Sequence, residues 1–306
     1  MNVLARSLAI ALLSLAVLPG RVLAQNHPEN DPENCSDIWK EVGLPKTPGE
    51  DITTVCHLGY ITGNNNSRKA PSWVIEKLTP ALVKGKATRE NQSFSEDDKV
   101  PAKGRATTAD YDGNGLGFDQ GHNAAAADFS GKQEFLDDTF FLSNSVPQVG
   151  VGFNRSIWRT LETRLRGLVG DNRSEIYVIT GSIFQDGKPI KIRNDICRSE
   201  LEIPVVKPAS ICPENHGKKN AQCESGVAVP AAMFKVVYNP KTKSAFSVLL
   251  QNESHTGNYK NGVEYIRAHK VGLATIEDLS GLKFFPDFPL RKQRVMRSAC
   301  VEVLSH

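Results

Sequence analysis

The sequence predicts a globular protein that contains both β-strands and α-helices, and three observations lead to this prediction. Of the 306 residues, 40% are hydrophobic and 23% are charged, so the chain can bury a sizeable core and wholesale disorder is excluded. Short runs of β-branched and aromatic residues, which are typical of strands, recur along the chain. One longer stretch, from Phe153 to Leu168, instead carries apolar residues at helical spacing.

The first segment has the pattern of a secretory signal peptide. Arg6 precedes an apolar run from Ser7 to Leu18, and Val22-Leu23-Ala24 supplies the small-residue pattern of a cleavage site. A membrane anchor is the alternative, but about 12 apolar residues are too few for a bilayer that needs roughly 20. We therefore expect residues 1–24 to be removed. The mature chain, beginning at Gln25, is expected to be secreted or periplasmic and to lack a membrane span.

The mature chain would keep an even number of cysteines. These are Cys35, Cys56, Cys197, Cys212, Cys223 and Cys300. In an exported protein such a set predicts disulfides, although six cysteines allow about 15 pairings that the sequence does not resolve. A zinc site is the alternative, but the sequence contains no Cys-x-x-Cys pair.

No linker or internal repeat divides the middle of the chain, which favours a single domain. Residues 25–64, which mix Pro, Asp and Asn with two cysteines, are interpreted as an irregular N-terminal extension held to the body by a disulfide. Residues 65–306 are expected to form the domain, with a cysteine-containing insertion at about 186–225. The net charge of +3 falls to +1 without Arg6 and Arg21, which is too balanced to indicate a nucleic-acid partner.

Strands are predicted where β-branched and aromatic residues cluster. These runs lie within 72–84 and at 176–181, 233–238 and 244–250. The first run is followed by a turn at Pro80, and the second is expected to end at Gly181. A short helix is predicted over Asp128–Leu136, and the polar stretch 86–117 is predicted to be loop.

The predicted helix from Phe153 to Leu168 has one apolar face. At about 100° per residue, its large apolar side chains fall within roughly 80° of one another. They are Trp158, Leu161, Leu165 and Leu168. Asn154 and Glu162 lie on either side of this face, roughly 12 Å apart along the axis. The simpler interpretation of the pair is an asparagine at a helix N-terminus and a solvent-exposed glutamate.

A possible general base lies just upstream of this helix, in Asp119-Gln120-Gly121-His122. The unperturbed pKa of histidine lies near about 6.5, which suits the removal of a proton from water. An aspartate three residues before such a histidine fits the site of a metal-assisted hydrolase. An ordinary loop histidine is the alternative, which the tetrapeptide alone favours.

The order of three motifs resembles the DNA/RNA non-specific endonucleases, whose site is a ββα-metal motif. The motifs are Asp119-Gln120-Gly121-His122, then Asn144-Ser145-Val146-Pro147-Gln148, then Asn154 followed eight residues later by Glu162. Family members typically carry Asp-Arg-Gly-His, Asn-x-x-Pro-Gln, and the same Asn and Glu on one helix. The resemblance covers about residues 65–290. It implies an α+β fold in which an antiparallel β-sheet core is flanked by helices.

The resemblance implies a hydrolytic centre built on three residues. His122 would be the general base, Asn154 the direct protein ligand of one Mg²⁺, and Glu162 would orient the waters around that ion. Mn²⁺ or another divalent cation is the alternative metal. The implied activity is metal-dependent hydrolysis of phosphodiester bonds in DNA, in RNA or in both.

Four further residues receive roles from the same resemblance. Asn144 would steady the site loop by hydrogen bonds, and Asp119 would hold metal-bound water or the turn geometry. Arg89 aligns with an arginine that reaches the scissile phosphate, although a solvated loop arginine is the alternative. Gln120 stands where the family usually has arginine. A neutral amide cannot balance phosphate charge, so catalysis is expected to be slower or differently tuned.

Three functions therefore remain open. The first is a secreted endonuclease that contacts DNA or RNA mainly through phosphates, since the sequence shows no base-reading module. The second is a catalytically weakened homologue that binds nucleic acid without cutting it. The third is a disulfide-rich structural or adhesion protein that shares the fold alone. The presence of His122, Asn154 and Glu162 favours the first.

Overall fold

The computed structural model describes residues 32–297, with gaps at 113–114, 173, 186, 195–196, 198, 216–222, 224 and 256–260. The predicted signal peptide, residues 1–24, lies outside the described residues. Within the described part of the chain, no helix is both long enough and apolar enough to cross a membrane.

The described chain alternates between strands and mostly short helices. The strands are β1 (Ile52–Cys56), β2 (Tyr60–Asn65), β3 (Ala70–Leu78), β4 (Phe118–His122), β5 (Ser145–Val149), β6 (Ile176–Ile183), β7 (Ile190–Asn194), β8 (Ser199–Ile203), β9 (Ser210–Ile211), β10 (Val227–Ala228), β11 (Ala232–Asn239), β12 (Ser244–Gln251) and β13 (Lys270–Val271). The α-helices are α1 (Ser36–Trp39), α2 (Pro80–Val83), α3 (Thr108–Tyr111), α4 (Gln133–Asp138), α5 (Arg159–Asn172), α6 (Gly262–Ala268), α7 (Leu273–Ser280) and α8 (Leu290–Arg297). Short 3₁₀ turns cover Pro32–Cys35, Ala102–Gly104, Ala126–Phe129, Leu142–Asn144 and Pro213–Asn215.

A seven-stranded antiparallel sheet, in the order β1-β2-β3-β6-β11-β12-β13, forms the centre of the molecule. Because successive side chains point to opposite faces of a strand, each face of the sheet buries its own core. On one face, Phe234 and Ile179 pack with residues of α1, α7 and α8. On the other face, Met233 and Val178 pack with Trp158 and other residues of the long helix. The predicted α+β architecture is confirmed.

The structure corrects the predicted boundary between an N-terminal extension (25–64) and the body. Residue 64 lies inside β2, and both β1 and β2 belong to the central sheet. The run Ile52–Cys56 contains β-branched residues and pairs in register with β2 along its whole length, which makes it an edge strand. A disulfide between Cys35 and Cys56 joins the segment before α1 to the end of β1.

Two other element boundaries differ from the prediction. Strand β6 continues through Gly181 to Ile183, since Gly181 pairs with residues of both neighbouring strands. The ring of Phe234 lies where a side chain at residue 181 would be, so the glycine makes room for this packing rather than ending the strand. The predicted helix Asp128–Leu136 is instead a 3₁₀ turn followed by α4. The amide of Gly131 donates to the carbonyl of Leu82 at 2.7 Å, which takes the chain out of the helical path between the two.

The central part of the chain folds into a ββα unit. Strands β4 and β5 pair antiparallel. The chain then passes through the wide, π-type segment Gly150–Trp158, in which Val151 and Gly152 have non-helical dihedral angles, and continues as α5. The predicted helix from 153 to 168 is confirmed and is longer than expected. Its buried face ends at Val169 rather than at the partly exposed Leu168.

The cysteine-containing region after β6 is built of four short strands. Strands β7 and β8 form one antiparallel pair, and β9 and β10 form another. Among the described residues, Cys212, Glu214 and Cys223 have the spacing of metal ligands, but Cys212 and Cys223 are bonded to each other. No described cysteine is free, which confirms the prediction of disulfides over zinc.

Candidate active site

The antiparallel pair β4–β5 carries the first two motifs on facing strands. His122 lies opposite Ser145, and Asp119 lies opposite Gln148. The buried side chain of Gln148 crosses over Gly121, and its Nε2 donates to the main-chain oxygen of His122 at 3.2 Å. A Cβ at residue 121 would overlap this side chain, so the glycine before His122 is a packing requirement.

The imidazole of His122 packs against two phenylalanine rings at the end of β4. Its centroid is 4.7 Å from that of Phe94 and 4.9 Å from that of Phe140, which meets it edge-on. Nε2 is buried and has no hydrogen-bond partner among the described residues. Burial, with the nearby positive charge of Arg89, lowers the pKa of His122 to about 3. The ring is therefore neutral at physiological pH and can accept a proton.

Asn144 braces the two residues that follow His122. Its side-chain Oδ1 accepts from the amide of Ala124 and its Nδ2 donates to the Ala124 carbonyl, both at 2.9 Å. Its main-chain oxygen accepts from the amide of Asn123 at 2.9 Å, and Nδ2 also reaches the carbonyl of Thr139. The asparagine is completely buried, so its hydrogen bonds hold the loop without competition from water.

Asn154 is oriented by a carboxylate on the neighbouring strand. Its Nδ2 donates to Oδ2 of Asp119 at 2.8 Å. The same carboxylate receives two further hydrogen bonds from the exposed guanidinium of Arg155, Nε at 2.8 Å and Nη2 at 2.5 Å. Because the amide nitrogen is engaged in this way, the side-chain oxygen of Asn154 faces away from Asp119. A hard cation such as Mg²⁺ prefers a neutral or anionic oxygen of this kind.

Glu162 belongs to a buried cluster of charged side chains beneath the site. The cluster comprises Glu76, Asp128, Glu162, Arg166 and Lys235. Nη1 of Arg166 pairs with Oδ1 of Asp128 at 2.6 Å. Burial raises the pKa of Glu162 to about 7, with Lys235 opposing the rise and Asp128 adding to it. Glu162 is therefore not the solvent-exposed residue of the simpler interpretation.

Arg89 and Gln120 flank the histidine. The guanidinium carbon of Arg89 lies 5.4 Å from the ring centroid of Phe140, and the side chain is otherwise exposed. Gln120 precedes His122 by two residues in β4, so both project from the same face of the strand. The structure thus brings Arg89, Gln120 and His122 to one edge of the unit, where an anionic substrate would meet them.

The structure places the predicted residues in two groups, which we call the proton-accepting half and the cation-binding half after the roles that the resemblance implies. Arg89, Asn144 and His122 form the first, and Asp119 with Asn154 forms the second. Sequence reasoning missed the buried charges at Glu76 and Lys235, and it also missed Asp128 and Arg166. One sequence signal could have indicated Lys235. It is a charged residue on the same face of the strand as the buried Met233 and Val237, in a run that is otherwise apolar.

Comparisons with known proteins identify the family and support the fold. The sequence profile described as DNA/RNA non-specific endonuclease matches residues 41–290. The chain is 34% identical to the mitochondrial nuclease of Saccharomyces cerevisiae over 246 residues, or 80% of this chain and 68% of that protein. It is 34% identical to a nuclease of Syncephalastrum racemosum over 255 residues, or 82% of this chain and 71% of that protein. Among solved structures, a chain from the crystal structure of the EndoG/EndoGI complex aligns with a TM-score of 0.64 and 28% identity, covering 84% of this chain and 94% of that one.

Proposed function

Because the chain belongs to the family of DNA/RNA non-specific endonucleases, we propose that it is an exported, divalent-cation-dependent endonuclease with His122 as its general base. The observation that carries this proposal is that one ββα unit holds a neutral, partly buried imidazole and an asparagine whose amide oxygen is left available by Asp119. Hydrolysis of a phosphodiester requires both functions, a proton acceptor for the attacking water and a ligand for the cation.

His122 accepts the proton of the attacking water. Since Nε2 is buried and has no hydrogen-bond partner among the described residues, we propose that water meets the imidazole at Nδ1. The low pKa keeps this nitrogen unprotonated before substrate binds, and the negative charge of a bound phosphate raises it toward the range of an effective base. The hydrogen bonds from Asn144 to the following residues fix the position of the ring.

Asn154 would hold the cation through Oδ1, with Asp119 fixing the rotation of the amide. When bound, a divalent cation supplies positive charge that stabilises the phosphate in the pentacovalent transition state and the leaving oxygen. Glu162 accepts hydrogen bonds from water in the site and orients it. Mg²⁺ is the cation we propose, because an amide oxygen and water are the ligands that suit it, and Mn²⁺ is the alternative.

The positive charge opposite the substrate comes from Arg89, which makes no ion pair with a described residue and lies beside His122. Gln120 donates hydrogen bonds but adds no charge. We therefore propose a nuclease that contacts phosphates with one guanidinium where the family usually offers two, and that cuts DNA, RNA or both without reading bases.

Export is proposed from the signal-peptide pattern of residues 1–24 and is compatible with the disulfides Cys35–Cys56 and Cys212–Cys223. A relative is a mitochondrial nuclease, so an organelle lumen is the alternative compartment. Sequencing the N-terminus of the protein purified from its native source distinguishes the two. A start at Gln25 supports export through the signal peptide.

The cheapest test of the activity is incubation of supercoiled plasmid with the purified protein and Mg²⁺, with and without EDTA. Nicking that EDTA abolishes supports the endonuclease. A shift of the plasmid in a native gel without nicking supports the alternative of a weakened homologue that binds nucleic acid. If the plasmid is neither nicked nor shifted, the result supports the structural or adhesion protein.

A further inference from the structure

A fully buried lysine lies directly beneath the catalytic loop. Lys235 is an inner residue of β11 with 1% of its surface exposed. Its Nζ donates to the main-chain oxygen of Asn123 at 3.0 Å and to Oγ1 of Thr180, its cross-strand neighbour, at 2.7 Å. Oε1 of Glu76 lies 3.9 Å away. Burying an ammonium group costs free energy, so we ask which contact of Lys235 offsets this cost or serves the site.

Neutralising Glu76 does not account for the burial of Lys235. Neither carboxyl oxygen of Glu76 has a hydrogen-bond partner among the described residues. Burial raises the pKa of Glu76 well above its usual range, with Asp128 adding to the rise and Lys235 opposing it. A carboxyl group that can stay protonated does not need a buried cation. Lys235 also opposes the rise in the pKa of Glu162, and its hydrogen bond to Asn123 is the contact that reaches the catalytic loop.

That hydrogen bond completes the bracing of the loop after His122. Asn123 and Ala124 present four main-chain polar groups between them, and Asn144 binds three: both amides and the Ala124 carbonyl. The fourth, the Asn123 carbonyl, is bound by Lys235 from the sheet side. The two residues that follow the base are thus held from opposite directions.

The same ammonium contacts the helix of the cation-binding half. Its Nζ lies 5.0 Å from the ring centroid of Trp158, which follows Asn154 by four residues and precedes Glu162 by four. In a helix these three residues lie one turn apart on the same side. Lys235 therefore touches, through one atom, both the loop that carries the base and the helix that carries Asn154.

We propose that Lys235 is a positioning residue that fixes the loop after His122 relative to the helix bearing Asn154 and Glu162. Its effect on catalysis rests on the proposed nuclease function, whereas its hold on the loop does not. Misplacement of a catalytic group by about 1 Å can lower a rate by about 100-fold, so loss of this hold should reduce turnover more than substrate binding.

The test compares Lys235→Met with Lys270→Met, which removes another buried lysine of the same sheet, at its edge in β13. Hydrogen exchange of the peptide containing Asn123 and Ala124 is measured first. Steady-state kcat and KM on double-stranded DNA with Mg²⁺ follow. We expect Lys235→Met to speed exchange of this peptide by about tenfold or more and to lower kcat by about tenfold or more, with KM within about threefold of the parent.

Lys270→Met should leave both the exchange of this peptide and kcat within about twofold. Lys235→Arg, which keeps a cationic donor, should recover part of the loss. The proposal is overturned if hydrogen exchange of this peptide is unchanged in Lys235→Met, or if kcat is unchanged while the parent is active. It is also overturned if Lys235→Met fails to fold. If the parent itself does not cleave DNA, the proposed function has failed, and the exchange measurement alone decides the positioning role.

Discussion

At the scale of the residue, burial shifts the pKa values of two ionisable groups, His122 and Glu162, in opposite directions. Burial disfavours the charged form of any side chain, which lowers the pKa of a base and raises that of an acid. It therefore lowers the pKa of His122 to about 3 and raises that of Glu162 to about 7. The imidazole of His122 is therefore unprotonated over the whole neutral range, whereas Glu162 becomes ionised only as the pH rises through about 7.

Glu162 is therefore expected to set the acid limb of the activity profile. Its carboxyl is protonated below the raised pKa, so kcat/KM should increase with pH toward a midpoint no higher than about 7, since a bound cation lowers it. The charged groups facing it are Lys235 on β11, Arg166 on its own helix and Asp128. The measurement is kcat/KM from pH 5 to 8 for the parent and for Glu162→Gln. The substitution should lower the rate and remove this limb, and a limb that persists unchanged in Glu162→Gln would assign it to another group.

Gln120→Arg tests the missing family arginine. A second guanidinium beside Arg89 would place preorganised positive charge near the phosphate, so kcat/KM should rise, by up to about tenfold. Gln120→Lys, which adds charge without the bidentate geometry, is the matched control and should gain less. Both are measured on one DNA substrate across a salt series. A drop of about tenfold or more in folded Gln120→Arg would show that the neutral amide is a tuned part of the site.

At the scale of the element, a buried histidine ties the end of β1 to the turn that carries Asn144. His57 Nε2 lies 3.1 Å from Oδ2 of Asp97, and Nδ1 lies 3.4 Å from Oδ2 of Asp138. Ser143, next to Asn144, donates to the same Asp97 carboxylate. Burial alone would lower the pKa of His57, but the two nearby carboxylates, Asp138 and Asp97, outweigh it and raise the pKa above its usual value. The imidazole thus links elements that are distant in sequence.

This linkage predicts a pH-dependent contribution to stability. A raised pKa in the folded state means that the stabilisation is fully present below the unfolded pKa of about 6.5 and is lost as the pH rises through the folded value. His57→Gln should therefore lower the melting temperature more at pH 6 than at pH 9. His269→Gln is the matched control, because burial lowers the pKa of His269 to about 4 and the sign is reversed. Equal losses at both pH values in His57→Gln would contradict the ion pair.

At the scale of the whole molecule, local patterns were predictable and pairings between distant segments were not. The strands at 176–181, 233–238 and 244–250 were predicted within two residues at each end, because their apolar character reflects burial on both faces. The two strands and the helix that carry His122 and Asn154 follow one another in the chain, so the order of the motifs was enough to predict a ββα unit.

The missed features depend on partners that are far away in the chain. Strands β1 and β2 are rich in Thr and Asn and become strands by pairing with β3, so composition alone suggested an irregular extension. The contact of Lys235 with Asn123 spans 112 residues, and that of His57 with Asp97 spans 40. A single sequence carries no signal for such pairs, beyond the oddity of a charge in an apolar strand.

The central claim is that a neutral His122 removes the proton from water while Asn154 holds the cation. The most direct measurement is cleavage of supercoiled plasmid by His122→Ala across a Mg²⁺ titration, beside Asn154→Ala and the parent, with folding checked by melting temperature. A positioned general base contributes about 10²–10⁴-fold, so His122→Ala should lose at least about 100-fold in kcat at saturating Mg²⁺ with an unchanged half-saturating concentration. Asn154→Ala should instead need more Mg²⁺ as well as cutting more slowly. Cleavage by folded His122→Ala at close to the parent rate would contradict the account.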